Sequence, residues 1–278
     1  MAVKLPNFFL IGCQKAATTW LYYCFKEHPE IYVPSNDEIH FFDINYFRGF
    51  AWYEQFYKDY SGEKMIGDTT SSYIRDPLVP RRIADYKLDA KVLVSLRNPI
   101  ERAFSHYWHE KKKRKITFAF SELFENYDLF QNWIIPGFYR QHLENYYKCF
   151  PKEQILVVIF EDIAKNAHGF LRQIFGFLDV DSDFIPSVLE VKINEAWYHP
   201  RTMKKVKDFI WLLFSKAMNK FMFHKNKSRD AREMDLSRSV SEYEEGMDRS
   251  LRARLQEIFR EENERLGELI NRDLSFWN

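Results

Sequence analysis

A lysine and two threonines follow an apolar run near the start of the chain, in a pattern suited to binding a phosphate group. Residues 8–12 are apolar and end at Gly12, Lys15 comes three residues later, and Thr18 and Thr19 open a helical pattern. A strand-to-helix turn offers backbone N–H groups and the positive end of the helix dipole to an anion, and the lysine adds a mobile charge. The Gly-Lys-Ser/Thr sequence of a Walker A loop is absent, so an ordinary strand-turn-helix is the alternative here.

An arginine takes a comparable place after a later buried run. Residues 91–96 (Lys-Val-Leu-Val-Ser-Leu) are mostly apolar and include two β-branched valines, and Arg97 follows them at the expected carboxyl end of a strand. Asn98 is expected to cap the helix that begins with the following proline, Glu101 to complete a capping box, and Ser105 to lie about two turns into that helix. An arginine can hold a phosphate in a fork of hydrogen bonds, although a surface arginine on a capped helix is equally compatible. The two segments together favour a nucleotide phosphorylated at both ends.

Short apolar runs alternate with helical patterns along the chain. Strands are predicted at 8–12, 65–68, 91–96 and 155–160, and helices at 18–28, 99–115, 137–150, 164–178 and 249–271. This alternation predicts an α/β fold with a central parallel sheet. Ligands of such sheets bind at the carboxyl ends of the strands, where both candidate phosphate segments are expected.

Length, charge and cysteine content narrow the possible partners. The 278 residues fit one domain, and 41 basic against 40 acidic residues give no global field that would attract nucleic acid. The three cysteines show no metal-ligand spacing, so we expect a reducing, cytoplasmic location. No run reaches the roughly 20 apolar residues that a membrane span needs, and residues 1–7 are too short for a signal peptide.

Three further segments are open to more than one interpretation. Residues 209–223 are expected to form an amphipathic helix that packs on the core or lines a cleft, with peripheral membrane contact as the alternative. Residues 224–246 are polar and poorly periodic, and are predicted to be a loop. The basic run 111–115 is interpreted as a cationic helix end, with contact to an anionic glycan as the alternative.

These motifs resemble those of the sulfotransferases, enzymes that use 3′-phosphoadenosine 5′-phosphosulfate (PAPS). The turn from Gly12 to Thr19 resembles their 5′-phosphosulfate loop, and Arg97 with Ser105 resembles their 3′-phosphate motif. Residues 37–43 (Asp-Glu-Ile-His-Phe-Phe-Asp) are similar to the Lys-Glu-x-His-Phe-Phe-Asp segment of the heparan-sulfate-type branch. The resemblance covers nearly the whole chain. It implies a single sulfotransferase domain over 1–278, with a P-loop-like parallel sheet between two helical layers in a three-layer sandwich.

The resemblance also implies roles for individual residues. The donor's 5′-phosphate would be stabilised as it leaves by side-chain and backbone donors of Lys15, Ala16, Ala17, Thr18, Thr19 and Trp20. Arg97 and Ser105 would hold the 3′-phosphate, which distinguishes PAPS from ATP. Glu38 corresponds to the family's proposed general base; His40 is the second candidate for that role and His106 the third. No metal is expected, and the cofactor would leave as PAP.

The sequence departs from the family pattern at several positions. Ala17 stands where glycine is commoner, which is tolerable if the backbone stays in an allowed region. Asp37 and Thr69 each replace a lysine; the first removes a positive charge beside Glu38 and the second puts a lysine–substrate contact in doubt. The cysteine-bracketed cofactor loop of the luminal heparan enzymes is missing. Its proposed substitute is the 224–246 loop, through Lys225, Lys227, Arg229 or Arg238.

The predicted function is sulfuryl transfer from PAPS to a hydroxyl or amine of a glycan, lipid or small metabolite. One alternative is a P-loop-type ATP-dependent kinase, which the missing Walker A sequence and the lack of a metal-holding aspartate motif disfavour. The other is a non-catalytic nucleotide- or glycan-binding protein on the same fold. Retention of Lys15, Glu38, Arg97 and Ser105 disfavours that second alternative.

Overall fold

Five parallel strands form the centre of the molecule. The computed structural model describes residues 6–113, 115–189 and 247–278. The strands are β1 (Phe8–Gly12), β2 (Ile31–Tyr32), β3 (Met65–Asp68), β4 (Lys91–Leu96) and β5 (Ile155–Ile159). They pair in the order β2-β3-β1-β4-β5, and every pairing is parallel. β1 therefore lies in the middle of the sheet, between β3 and β4.

Helices connect and cover these strands. In chain order they are α1 (Thr18–Glu27), α2 (Phe50–Glu54), α3 (Val79–Tyr86), α4 (Pro99–Lys112), α5 (Tyr127–Trp133), α6 (Tyr139–Tyr147), α7 (Asp162–Leu178) and α8 (Arg249–Ile270). A π-helical turn spans Phe41–Asn45, and short 3₁₀ turns span Tyr46–Arg48, Gln55–Tyr57, Tyr73–Arg75, Phe120–Phe124, Ile135–Gly137, Lys152–Gln154 and Ser275–Trp277.

The two faces of the sheet are buried against different helices. Phe8 and Leu10 belong to a core shared with α1 and α7, where the Phe8 and Phe25 rings meet edge-on at 5.3 Å. Phe9 and Ile11 belong to the opposite core, shared with α3 and α6. Successive side chains of a strand point to opposite faces, so a strand that is apolar throughout requires a helical layer on each side. The predicted α/β three-layer sandwich is confirmed.

The structure bears out the predicted elements, with small differences at their ends. The helix predicted at 137–150 begins only at Tyr139, because residues 135–137 form a 3₁₀ turn, and the helix predicted to reach 115 ends at Lys112. β2 is not among the predicted strands, because its two residues are too few to show a periodicity. The short helices α2, α3 and α5 are also not among the predicted elements.

The topology brings the candidate site residues to one edge of the sheet. The segments after β1, β3 and β4 all leave the carboxyl ends of adjacent parallel strands. The predicted amphipathic helix 209–223 and the loop 224–246, with Lys225, Lys227, Arg229 and Arg238, lie outside the described residues. Within the described ranges, no helix combines the length and the apolar character needed to cross a membrane.

Candidate active site

The turn after β1 approaches the segment after β3 closely. A Cβ on Gly12 would lie 2.7 Å from Ile74 Cγ2 and 2.9 Å from the carbonyl oxygen of Ser71, and Gly12 has a φ of +152°. Only glycine fits a backbone in this conformation at this distance. The start of the turn from Gly12 to Thr19, the phosphate-type turn, is thus packed closely against residues 71–74.

The turn itself uses two left-handed residues before α1 begins. Lys15 has a φ of 74° and Ala17, at the helix N-cap, a φ of 65°. The position where the family commonly has glycine therefore does need a conformation that glycine adopts most easily. No side chain caps α1, so N–H groups of its first turn, including those of Thr18 and Thr19, face the site where an anion would bind.

One predicted donor of this turn is already used inside the protein. The Ala16 N–H donates to the Cys13 carbonyl oxygen at 3.2 Å, which closes the turn. The Leu21 N–H donates to the Ala17 carbonyl oxygen at 2.9 Å and starts the helical ladder. Of the donors predicted for this turn, the Ala16 N–H is therefore engaged within the protein and not directed at an anion.

Lys15 lies in a strongly cationic environment. Burial, together with the charges of Arg97 and Lys113, lowers the pKa of Lys15 to about 8. Glu110 acts in the opposite direction, but it is itself paired with Lys113 at 3.9 Å and Lys115 at 3.3 Å. Excess positive charge in a half-buried turn favours a bound anion, because the anion relieves the mutual repulsion.

The structure brings Lys15 and Arg97 together. Arg97 Nη1 donates to the Lys15 carbonyl oxygen at 3.1 Å, and its guanidinium lies 4.7 Å from the centre of the Phe160 ring. Tyr139 adds a second connection: its hydroxyl donates to the Arg97 carbonyl oxygen at 2.8 Å and accepts from Cys13 Sγ at 3.5 Å. The two phosphate-type segments are thus joined through a buried tyrosine that the sequence analysis did not select.

The start of α4 is capped partly as predicted. Asn98 Oδ1 accepts from the N–H groups of Ile100 and Glu101 at 2.9 and 3.4 Å. The predicted capping box is wrong, because the Glu101 carboxylate pairs with Arg252 of α8 at 2.5 Å. The acceptor of the Asn98 N–H is instead Glu161, at 2.9 Å. Ser105 is partly buried about two turns farther along α4.

The 37–43 segment forms a chain of charged groups that begins at Glu38. His40 Nε2 lies 3.6 Å from Glu38 Oε2, and His40 Nδ1 lies 3.1 Å from Asp43 Oδ2. Ser71 Oγ donates to Glu38 Oε1, and Ser72 Oγ donates to Asp43 Oδ2 at 2.6 Å. The side-chain exposure falls from 36% at Glu38 to 28% at His40 and 9% at Asp43. Glu38 is therefore the most exposed of the three charged groups.

The protonation states in this chain separate the candidate bases. The carboxylates of Asp43 and then Glu38 raise the pKa of His40 to about 10, which favours a charged imidazolium at neutral pH, with Nδ1 donating to Asp43 and Nε2 in ion-pair contact with Glu38. The His40 contact lowers the pKa of Glu38, which stays ionised and able to accept a proton. Burial, reinforced by Arg102 and Lys15, lowers the pKa of His106 to about 3. These states favour Glu38 over His40. Glu38 and His106 are both unprotonated and weakly basic, and it is the contact of Glu38 with Ser71 that favours Glu38 over His106.

Two departures from the family pattern turn out to be neighbours. The Thr69 hydroxyl donates to the Asp37 carbonyl oxygen at 2.6 Å. Both positions carry lysine in the family pattern. Here the neutral Thr69 hydroxyl instead binds the backbone of Asp37. This contact anchors the residue immediately before Glu38.

The basic run at the end of α4 lies within electrostatic range of the phosphate-type turn. Lys112 and Lys113 both act to lower the pKa of Lys15. From sequence, this run is either a cationic helix end or a glycan contact. The structure adds that Lys112 and Lys113 act electrostatically on Lys15, which sequence spacing could not show. Among the described residues, no group of three or more His, Cys, Asp or Glu side chains is arranged to hold a metal ion.

Comparison with known proteins gives consistent matches. Residues 5–267 match the family model described as sulfotransferase domain. The membrane-associated sulfotransferase kil1 of Dictyostelium discoideum is 32% identical over 177 residues, which are 60% of this chain and 35% of the relative. The mouse heparan sulfate glucosamine 3-O-sulfotransferase 3B1 is 32% identical over 181 residues, which are 63% of this chain and 46% of that enzyme.

A solved structure matches over the whole chain. The crystal structure of a sulfotransferase from Alicyclobacillus acidocaldarius aligns with a TM-score of 0.73 and 26% identity, and 99% of each chain is covered. The human bifunctional heparan sulfate N-deacetylase/N-sulfotransferase 2 is 28% identical over 196 residues, 64% of this chain and 22% of the enzyme. The chain spans less than half the length of these curated relatives.

Proposed function

The chain belongs to the sulfotransferase domain family, and on that basis we propose that it transfers the sulfuryl group of PAPS to a hydroxyl or amine of an acceptor, with Glu38 as general base and PAP as the product. PAPS, when bound, supplies the activated sulfuryl group. The part of the protein is to place donor and acceptor in line and to stabilise the charges that develop.

The observation that carries this proposal is the position of Ser71. Its carbonyl oxygen is packed against Gly12, where the phosphate-type turn begins, and its hydroxyl donates to the Glu38 carboxylate. One residue therefore contacts both the anion-binding turn and the proposed base. A general base must lie within hydrogen-bond reach of the proton it removes, and this contact keeps the two parts of the site together.

The donor side binds through backbone groups and two cations. Lys15 and the N–H groups at the start of α1 are suited to stabilise the 5′-phosphate as its negative charge grows. Arg97, which is held against Lys15 and Phe160, and Ser105 on α4 are the proposed ligands of the 3′-phosphate. PAPS differs from ATP in having a 3′-phosphate, so Arg97 and Ser105 are the residues proposed to select PAPS over ATP.

The acceptor side removes a proton. Glu38 is ionised and accepts a hydrogen bond from Ser71, while His40 lies between Glu38 and Asp43. When Glu38 takes the acceptor's proton it becomes neutral, and His40 retains its contact with the Asp43 carboxylate at 3.1 Å. The positive charge of His40 thus stays paired before and after the proton transfer.

The proposed acceptor is a glycan or a small molecule that carries a hydroxyl or an amine. Two of the relatives are named for sulfation of heparan sulfate, so sugars are the first class to test. Simple alcohols and amines form the second class, because the site residues described above recognise the reacting group and the donor rather than a sugar ring.

The test is transfer of radiolabelled sulfate from PAPS to heparan sulfate, desulfated heparan sulfate, and a panel of alcohols and amines. We expect labelled product with the wild-type chain, and a kcat about 10²–10⁴-fold lower for Glu38→Gln because that variant loses the base. PAP binding, measured by calorimetry, should be unchanged in Glu38→Gln. Turnover by Glu38→Gln at the wild-type rate would remove Glu38 from the mechanism, and magnesium-dependent ATP turnover would replace the proposal with a kinase.

A further inference from the structure

A buried carboxylate lies directly behind the segment that carries the proposed base. Asp68, the last residue of β3, is 0% exposed. Its Oδ1 accepts from the Thr70 hydroxyl at 2.6 Å and from the Thr70 N–H at 3.1 Å. Its Oδ2 accepts from the hydroxyls of Tyr53 and Tyr73, at 2.7 and 2.9 Å. No basic side chain takes part in these hydrogen bonds, so hydroxyl and amide donors alone stabilise the carboxylate.

Two of these hydroxyls also accept hydrogen bonds from the backbone of residues 37–43, the base-bearing segment. Thr70 Oγ1 accepts from the N–H groups of Ile39 and His40 at 3.2 and 3.3 Å. The Tyr73 hydroxyl accepts from the N–H groups of Phe41 and Phe42 at 3.0 and 3.2 Å. The four N–H groups held in this way belong to the consecutive residues between Glu38 and Asp43.

The backbone of this segment needs such support. His40 has a φ of 56°, in the left-handed region that non-glycine residues rarely adopt, and a π-helical turn follows at Phe41–Asn45. Strained backbone of this kind persists only where the surroundings hold it in place. Residues 39–42 do not belong to a strand whose neighbour could accept their N–H groups. The hydroxyls of Thr70 and Tyr73 accept them instead.

The carboxylate decides which way the hydroxyls face. A hydroxyl has one proton to donate and lone pairs with which to accept. Because Thr70 and Tyr73 both donate to Asp68, their lone pairs are directed at the backbone N–H groups. Hydrogen bonds in such a buried chain also polarise one another.

We propose that Asp68 is a positioning residue for the sulfuryl-transfer site: through Thr70 and Tyr73 it fixes the backbone of residues 39–42 and so aims Glu38 and His40. The inference rests on the proposed role of Glu38. It goes beyond that role because it assigns a function to a side chain that contacts neither donor nor acceptor.

Two tyrosines provide a matched test. Tyr53 and Tyr73 both donate to Asp68 Oδ2, both are 0% exposed, and both rings meet the Phe42 ring edge-on, at 5.3 and 5.8 Å. Only the Tyr73 hydroxyl also accepts from the base-bearing segment; the Tyr53 hydroxyl accepts from Tyr57 at 3.1 Å. Removal of either hydroxyl costs the core one donor to Asp68, but only one of the two losses reaches Glu38.

The experiment compares Tyr73→Phe with Tyr53→Phe by steady-state kinetics, PAP calorimetry and thermal unfolding. We expect kcat of Tyr73→Phe to fall about 10- to 100-fold, because misplacement by about 1 Å can cost that much, with the KM for PAPS and the Kd for PAP unchanged. Tyr53→Phe should keep its kcat, and it should lose less thermal stability than Tyr73→Phe because only Tyr73→Phe leaves two backbone N–H groups without an acceptor. Equal effects of the two variants on kcat would show that Asp68 is only a core carboxylate.

A second pair keeps the test decisive if Tyr73→Phe fails to fold. Thr70→Val removes the acceptor for Ile39 and His40, whereas Thr70→Ser keeps it. We expect kcat to fall in Thr70→Val and to be restored in Thr70→Ser; equal rates for the two would overturn the inference. Full turnover by Glu38→Gln, by contrast, would overturn the proposed function whatever these pairs show.

Discussion

The phosphate-type turn and the base-bearing segment leave the same edge of the sheet, yet their charges are arranged in opposite ways. Lys15 lies among Arg97, Lys112 and Lys113, and its pKa is lowered to about 8. Around Glu38 each charge has an opposite neighbour: His40 lies between two carboxylates, and Ser71 and Ser72 donate to those carboxylates. The phosphate-type turn therefore carries an excess of positive charge, whereas the charged groups of the base-bearing segment are paired with one another without any ligand.

This difference indicates how each region works. An incomplete cationic turn gains most when an anion binds, which suits a donor that must enter and leave. A hydrogen-bond network whose groups are already paired gains little free energy from ligand binding, but it holds one geometry. This suits a general base, which must be oriented toward the proton that it removes. Changes at the turn should therefore alter donor affinity and chemistry together, whereas changes at the base should alter chemistry alone.

Among changes at the phosphate-type turn, the largest effect should come from Lys15→Ala. Loss of this cation removes stabilisation of the leaving 5′-phosphate, so we expect kcat to fall about 10²–10³-fold. The KM for PAPS and the Kd for PAP should rise as well, in contrast to Glu38→Gln, which should leave PAP binding intact. Steady-state kinetics and PAP calorimetry on the two variants side by side measure the contrast. If PAP binds Lys15→Ala as it binds the wild type, the turn is not the donor site.

A pH series from 7 to 9 should change the charge of the phosphate-type turn and leave that of the base-bearing segment unchanged. Between pH 7 and 9 Lys15 loses its proton, since its pKa is about 8, while His40, with a pKa of about 10, stays charged and Glu38 stays ionised. The Kd for PAP should therefore rise by up to about 10-fold over this range, because one pKa unit corresponds to a tenfold population change. Binding at pH 9 should also take up a proton, detectable by calorimetry in buffers of different ionisation heat.

Lys15→Arg is the matched control for that series. An arginine remains charged throughout the range, so its PAP affinity should not change between pH 7 and 9. A wild-type Kd that is equally flat would mean that Lys15 keeps its proton in the free protein and that the surrounding cations do not lower its pKa.

The smallest effect should come from Ala17→Gly. Ala17 has a φ of 65°, and glycine removes the strain of that conformation, of about 1–2 kcal/mol, at the expense of greater freedom in the unfolded chain. The expected net gain in the free energy of unfolding is about 0.5 kcal/mol, with an unchanged Kd for PAP. Chemical denaturation measures the gain. A destabilised glycine variant would show that the turn tolerates alanine without strain.

Much of the frame was predictable because it depends on local patterns. The runs at 8–12, 91–96 and 155–160 read as apolar on both faces, which only a sheet covered on both sides can bury, and the structure has strands there. The capping role of Asn98 followed from its neighbour Pro99. The role of Glu101 did not follow, because Arg252, which pairs with it at 2.5 Å, lies 151 residues away.

The sequence by itself determined the longer strands and helices and their order along the chain, the two phosphate-type segments, and the candidate residues in the 37–43 motif, since each is encoded in neighbouring residues. The tertiary structure alone decided which groups share a site. Only the folded sheet places Ser71 between Gly12 and Glu38, Tyr139 between Cys13 and Arg97, and Asp68 behind residues 39–42. It also decided the protonation states that favour Glu38 over His40, because burial and charged neighbours from distant parts of the chain set a pKa.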